Sequence, residues 1–185
     1  LKTSNELSNQ TYVGLTQADY FRNPRIRYGL SHFDEMDNDH DSLQLNYLFE
    51  FRDFRLTAVY FDNEFSRDWF KVEHIHGQSI NGILSAANRG DILATGILNN
   101  TIPSEILMKH NYRNYDASGI NLSAALDLDI HTFTIGYRDM KDEEDRQQSY
   151  ETFNQYGDGT YSSLSPVFFV GGSDNSRRET EAKAF

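Results

Sequence analysis

Several groups of side chains in this sequence are spaced in ways that could do chemistry. The run Asp34-Glu35-Met36-Asp37-Asn38-Asp39-His40-Asp41 gathers carboxylate oxygens closely enough to interest a hard cation such as calcium. A helix-loop-helix calcium site would want glycine in the middle and glutamate at its twelfth place. Neither is present, and a solvated acidic lead-in to a strand is the plainer expectation. His74 and His76 would share one face of an extended chain, which suits a transition metal. No third ligand is near in sequence, so hydrogen-bonded loop histidines are the plainer expectation. Serine, histidine and aspartate abound, but no G-x-S-x-G elbow occurs and the six histidines fall without order. No hydrolytic triad is expected, and the chain is not expected to be an enzyme. The acidic run Asp142-Glu143-Glu144-Asp145 reads as solvated.

The elements that must carry these groups are legible from a period of two. Leu43, Leu45, Tyr47, Phe49 and Phe51 alternate with Gln44, Asn46 and Glu50, Leu48 being the exception. After Arg52-Asp53 the pattern restarts as Phe54, Leu56, Ala58 and Tyr60 against Arg55 and Thr57. Successive side chains of a strand point to opposite sides, so this is a tight hairpin with one apolar face. A second hairpin has the same design. Ile120, Leu122, Ala124, Leu126 and Leu128 alternate with Asn121, Ser123, Ala125 and Asp127. Past a turn near Asp129, Phe133, Ile135 and Tyr137 alternate with Thr132, Thr134, Gly136 and Arg138.

On the apolar parity each run gives way abruptly to polar residues: Asp41, Asp39 and Asp37; Asp62 and Glu64; Ser118 and Asp116; Asp139 and Lys141. An apolar stretch of about 9 to 11 residues per strand, rimmed by aromatics and bounded by acids, fits a tilted transmembrane β-strand. Four strands changing character at one level is what a shared slab of lipid would impose.

Before, between and after the hairpins, residues 1–41, Lys71 to about Asn111, and Asp142–Ser176 read as long surface loops, the last punctuated by Gly157-Asp158-Gly159 and Gly171-Gly172. Within the second, Ser79–Ala87 could form a short helix. Trp69 would pack locally or mark a headgroup boundary. A last strand is expected from about Arg177. Very short turns at one end and very long loops at the other is the asymmetry of bacterial outer-membrane barrels.

Composition narrows the classes. The 185 residues carry a net charge of −11, which argues against a nucleic-acid partner, since phosphate binding needs clustered cations. The mean hydropathy of −0.66 does not exclude membrane strands, because half of their residues are polar. No apolar run approaches the length of a spanning helix. There is no cysteine, which decides little. The first residue is Leu1, with no charged-then-apolar leader, so the chain reads as a piece of something longer.

Five pieces together resemble TonB-dependent outer-membrane receptors, nearest to the ferric citrate receptor branch. They are Gly14-Leu15-Thr16-Gln17-Ala18-Asp19-Tyr20, Arg55-Leu56-Thr57-Ala58-Val59-Tyr60, Phe65-Ser66-Arg67-Asp68-Trp69, His131-Thr132-Phe133-Thr134-Ile135-Gly136-Tyr137-Arg138 and Glu179-Thr180-Glu181-Ala182-Lys183-Ala184-Phe185. The likeness spans nearly the whole chain in order. It implies a barrel of about 22 strands filled by a plug, importing scarce iron chelates with energy relayed by TonB. Residues 1–185 would be about five antiparallel strands of that barrel, without the plug.

The resemblance further implies that wall arginines hold an anionic ligand, and Arg67, Arg177 and Arg178 are the candidates. Another basic position of the family falls on Asp174, a departure from its pattern. The alternative for these arginines is pairing with local carboxylates. No cofactor is expected. The expected partners are an iron chelate or similar small ligand, the TonB complex through the plug, and the lipid bilayer of a Gram-negative outer membrane. A soluble β-sandwich with long recognition loops is the alternative fold and function, and a passive porin-like channel is a third reading.

Overall fold

The computed structural model describes residues 1–165, 167–169 and 175–185; Gly171-Gly172 and Asp174 lie outside them. The chain is mostly antiparallel β, with a sheet curled into a half-barrel. In order come β1 (Lys2–Ser8), α1 (Gln17–Arg22), a 3-10 turn (Gly29–Ser31), β2 (Glu35–Phe51), β3 (Phe54–Ile75), β4 (Gln78–Ser79), α2 (Ile80–Asn88), α3 (Ile92–Leu98), β5 (Ser104–Leu128), β6 (His131–Gln155), β7 (Tyr161–Ser163), β8 (Phe168–Phe169) and β9 (Ser176–Ala184). Spatially the order is β1-β2-β3-β5-β6, and the far edge of β6 is covered in turn by β9, β8 and β7. The β2–β3 and β5–β6 turns are two residues long, with Arg52 and Asp129 in left-handed backbone.

The alternation seen in the sequence divides the sheet into two faces. Leu45, Tyr60, Ile120 and Asp139 are directly opposite one another on adjacent strands. This side, the Leu45 face, carries the whole apolar band. The other side, the Arg67 face, carries its alternates, polar for the most part, with Leu48, Val59 and Phe61 as apolar exceptions. Leu45, Phe49 and Ile135 are 59%, 43% and 73% exposed, while Leu56 and Leu122 line a shallow hollow with Ile135 and Phe185. The sheet is single, and among the described residues nothing faces the band, so the two stacked sheets of a sandwich are not what the chain forms.

Three expectations about loops are corrected. β2, β3, β5 and β6 run 17, 22, 25 and 25 residues, far beyond their apolar stretches. Residues 1–41 contain β1, α1 and the start of β2. Residues 71–111 contain the ends of two strands and two helices. Asp142–Ser176 opens with the upper half of β6, so the acidic run Asp142–Asp145 lies within a strand. Beyond the band both faces are polar, and the hydropathy alternation vanishes although the backbone stays extended.

The core sits at the tall end, on the Leu45 face. Val72, Ile75, Ile106 and Met108 project from β3 and β5 against Val13, Tyr28 and Leu30 and against α2 and α3. Helix α2 begins where the Ser79 hydroxyl accepts from the Gly82 N–H at 3.2 Å, and its buried stripe is Ile80, Ile83 and Ala87. The Asp91 carboxylate caps α3, accepting from the Leu93 and Ala94 N–H groups at 2.9 and 3.1 Å. The 3-10 turn docks onto the end of α3 so closely that a Cβ on Gly29 would meet the Asn99 carbonyl oxygen at 2.9 Å. The Tyr161 hydroxyl ties the junction, donating to the Gly29 carbonyl and accepting from the Asn100 amide, both at 2.8 Å.

Asp34 ends the β2–β3 ladder. It is buried, and its Oδ1 accepts the Val72 N–H at 2.9 Å, just beyond the last pair Glu35 and Phe70. Its Oδ2 accepts from the Thr11 hydroxyl at 2.6 Å. Desolvation holds this carboxyl above its ordinary pKa.

Candidate anion-binding site

On the Arg67 face, above the level of the band, strand register lines up cations. Arg67, Arg113 and Arg146 stand directly opposite one another on β3, β5 and β6. Like charges facing each other across strands are destabilising unless a counter-charge intervenes. That charge comes from the row beside them, Phe65-Tyr115-Glu144-Arg178. The Glu144 Oε1 accepts from Arg113 Nη1 at 2.8 Å and lies 3.8 Å from Arg146 Nε. Its Oε2 is 3.2 Å from Arg178 Nη2. The Glu144 side chain is only 12% exposed, so it is held among guanidinium groups rather than in water.

One carboxylate serving three guanidinium groups leaves donors over. The Nε atoms of Arg67, Arg113 and Arg146 are buried and have no hydrogen-bond partner. Arg67 makes no ion pair among the described residues. A buried donor left unsatisfied costs about 1–3 kcal/mol; three lie in this row, and the buried Oε1 of Gln148, one row up on the same face, is likewise unpartnered. Guanidinium forks match carboxylate and phosphate oxygens, so the chemistry on offer is the binding of a multiply charged anion.

Further up the same face, Lys71 and Lys109 are directly opposite. The Lys71 ammonium lies 3.7 Å from the Tyr12 ring centroid and 4.8 Å from that of Trp69, and Lys109 is 3.5 Å from Glu73. Burial pushes the Lys71 pKa down. Trp69 meets Tyr12 edge-on at 5.6 Å and donates from Nε1 to the Gln10 carbonyl at 3.3 Å, the local packing role expected of it.

The three arginines singled out by resemblance separate. Arg67 belongs to the row, Arg178 to its neighbour, and Arg177 points to the Leu45 face, where it pairs with Glu143. Arg177 and Arg178 each face a carboxylate, Glu143 and Glu144 respectively, and Arg177 stands on the side away from the row. Sequence reading missed Arg113, Arg146 and Glu144. A signal was there: a two-residue turn at Asp129-Ile130 makes Arg146 the mirror image of Arg113. The β3–β5 register, which brings in Arg67, has no such signal, because two helices intervene.

The other chemical groups fall elsewhere. Asp37, Asp39 and Asp41 lie on the Leu45 face of β2. His74 is in β3, while His76 sits in the following turn with φ 47°. Among the described residues no group of three or more potential ligands is placed to hold a metal. His110 Nδ1 and Asp68 Oδ2 are 2.7 Å apart on the Leu45 face. Ser149 is opposite His110 on β6, and no hydrogen bond joins the two. Neither a protein-family model nor any curated protein or solved structure matches the chain, and the site is read from its geometry alone.

Proposed function

We propose that the chain is part of the wall of a TonB-dependent outer-membrane receptor that imports an anionic small ligand, an iron chelate of the citrate or siderophore class being favoured. The Leu45 face meets lipid, and the Arg67 face lines the lumen. The resemblance of the five sequence pieces supports the family, and the row of arginines supports the charge of the ligand.

The observation that carries the reading is the slope of the band's upper edge. Taking Leu45, Tyr60, Ile120 and Asp139 as one row, with Lys183 completing it on β9, the last apolar residue is Leu43 one row above on β2. It is Tyr60 on β3 and Ile120 on β5, in the row itself. It is Tyr137 one row below on β6, where Phe185 packs against it at 5.3 Å. From β2 to β6 the edge thus falls by four residues over three strand-to-strand steps. With about 3.3 Å per residue and about 4.8 Å per strand, that is a line inclined by roughly 40° to the rows. A flat slab cutting strands tilted by about 35–45° draws such a line, whereas a water-soluble core has no reason to.

The test is cell fractionation and gel migration of the protein. The expected result is recovery in the outer-membrane fraction, detergent-dependent solubility and heat-modifiable migration. A detergent-free, monomeric folded protein would overturn the reading.

A further inference from the structure

We infer that Glu144 is a built-in competing anion, which occupies the arginine site in the empty state and sets how strongly an incoming anion must bind to replace it. This rests on the proposed anion-binding role and deepens it. Both Glu144 oxygens are engaged, Oε1 with Arg113 and Oε2 facing Arg178, and Arg146 lies close by. Two oxygens cannot serve every donor of the guanidinium groups around them. Here the Nε donors of Arg113 and Arg146 remain buried and unpartnered, as does that of Arg67 in the same row. A ligand with more charged oxygens than one carboxylate satisfies more of these donors, and the guanidinium groups it takes are those Glu144 now holds.

Competition and bracing predict opposite signs. If Glu144 competes, Glu144→Gln removes the negative charge at nearly constant shape, and an incoming anion no longer has to displace or lie beside it. If Glu144 only positions the arginines, the same change loosens them and weakens binding.

The experiment is calorimetric titration of citrate into the detergent-solubilised protein and its variants. Glu144→Gln is expected to bind citrate roughly tenfold more tightly than the unaltered protein, the scale of one nearby like charge removed from a partly screened site. Glu144→Asp keeps the charge on a shorter stem and should fall between them, which keeps the inference testable if the glutamine variant does not fold. Glu143→Gln, on the Leu45 face, should leave the affinity unchanged. Unchanged or weaker citrate binding in both Glu144 variants would overturn the inference while leaving the anion-site reading intact. Absence of citrate binding in every form of the protein would remove both.

Discussion

Asp34 is a carboxylate buried at the tall end of the sheet, where a single group links stability to pH. Desolvation raises its pKa in the folded state, so between the ordinary carboxylate value of about 3.9 and the raised one the folded protein binds more protons than the unfolded chain. Its contribution to stability is then greatest below the ordinary value and declines as pH rises through the raised one. Asp34→Asn can still accept the Val72 N–H and pair with Thr11, but it does not ionise. Thermal melts in detergent should show the asparagine variant losing less stability than the unaltered protein as pH rises from the ordinary carboxylate value. Single residues were also where sequence reading was least complete. Glu144 sits in an acidic run that looks uniform as text, yet alternation sends Asp142 and Glu144 to one face and Glu143 and Asp145 to the other. Only the first pair meets the arginines' side.

At the level of elements, the two hairpins, their turns and their apolar face were legible, because one wet and one apolar side leave a period of two. The α2 helix was only faintly legible, because Asn81-Gly82 interrupts the helical pattern that follows Ser79. The long upper halves of β2, β3, β5 and β6 were not, since a strand polar on both faces has the composition of a loop. Close packing between those strands still leaves a mark at Gly119 on the Arg67 face of β5. A Cβ there would lie 2.6 Å from the Asp139 carbonyl oxygen and 3.0 Å from the Phe61 ring. Gly119→Ala is expected to destabilise the protein by about 1–3 kcal/mol, read as a lower melting temperature. An unchanged melting temperature would mean that β5 and β6 part more easily there than their register suggests.

Across the whole molecule, the net charge of −11 conceals a division between faces. Asp37, Asp39, Asp41, Asp62, Glu64 and Asp116 stand on the Leu45 face above the band, while Arg67, Arg113, Arg146, Lys71 and Lys109 stand on the other. Composition spoke against nucleic acid as a partner and left small anions open, and one side of the sheet is suited to them. Small anions should be drawn to the Arg67 face over distances that salt cuts from about 30 Å at 0.01 M to about 8 Å at 0.15 M. Stopped-flow association of citrate is expected to slow across that range, and a salt-independent rate would argue that the surrounding acids cancel the field. The Asp34 cap has a consequence for the size of the whole. Since a side chain, and not another backbone unit, takes the Val72 amide, the cap works as a length gauge: one more rung on β2 would have to evict it. Insertions between β1 and β2 should therefore be absorbed in the segment crossing the top of the sheet, leaving the height of the wall as it is.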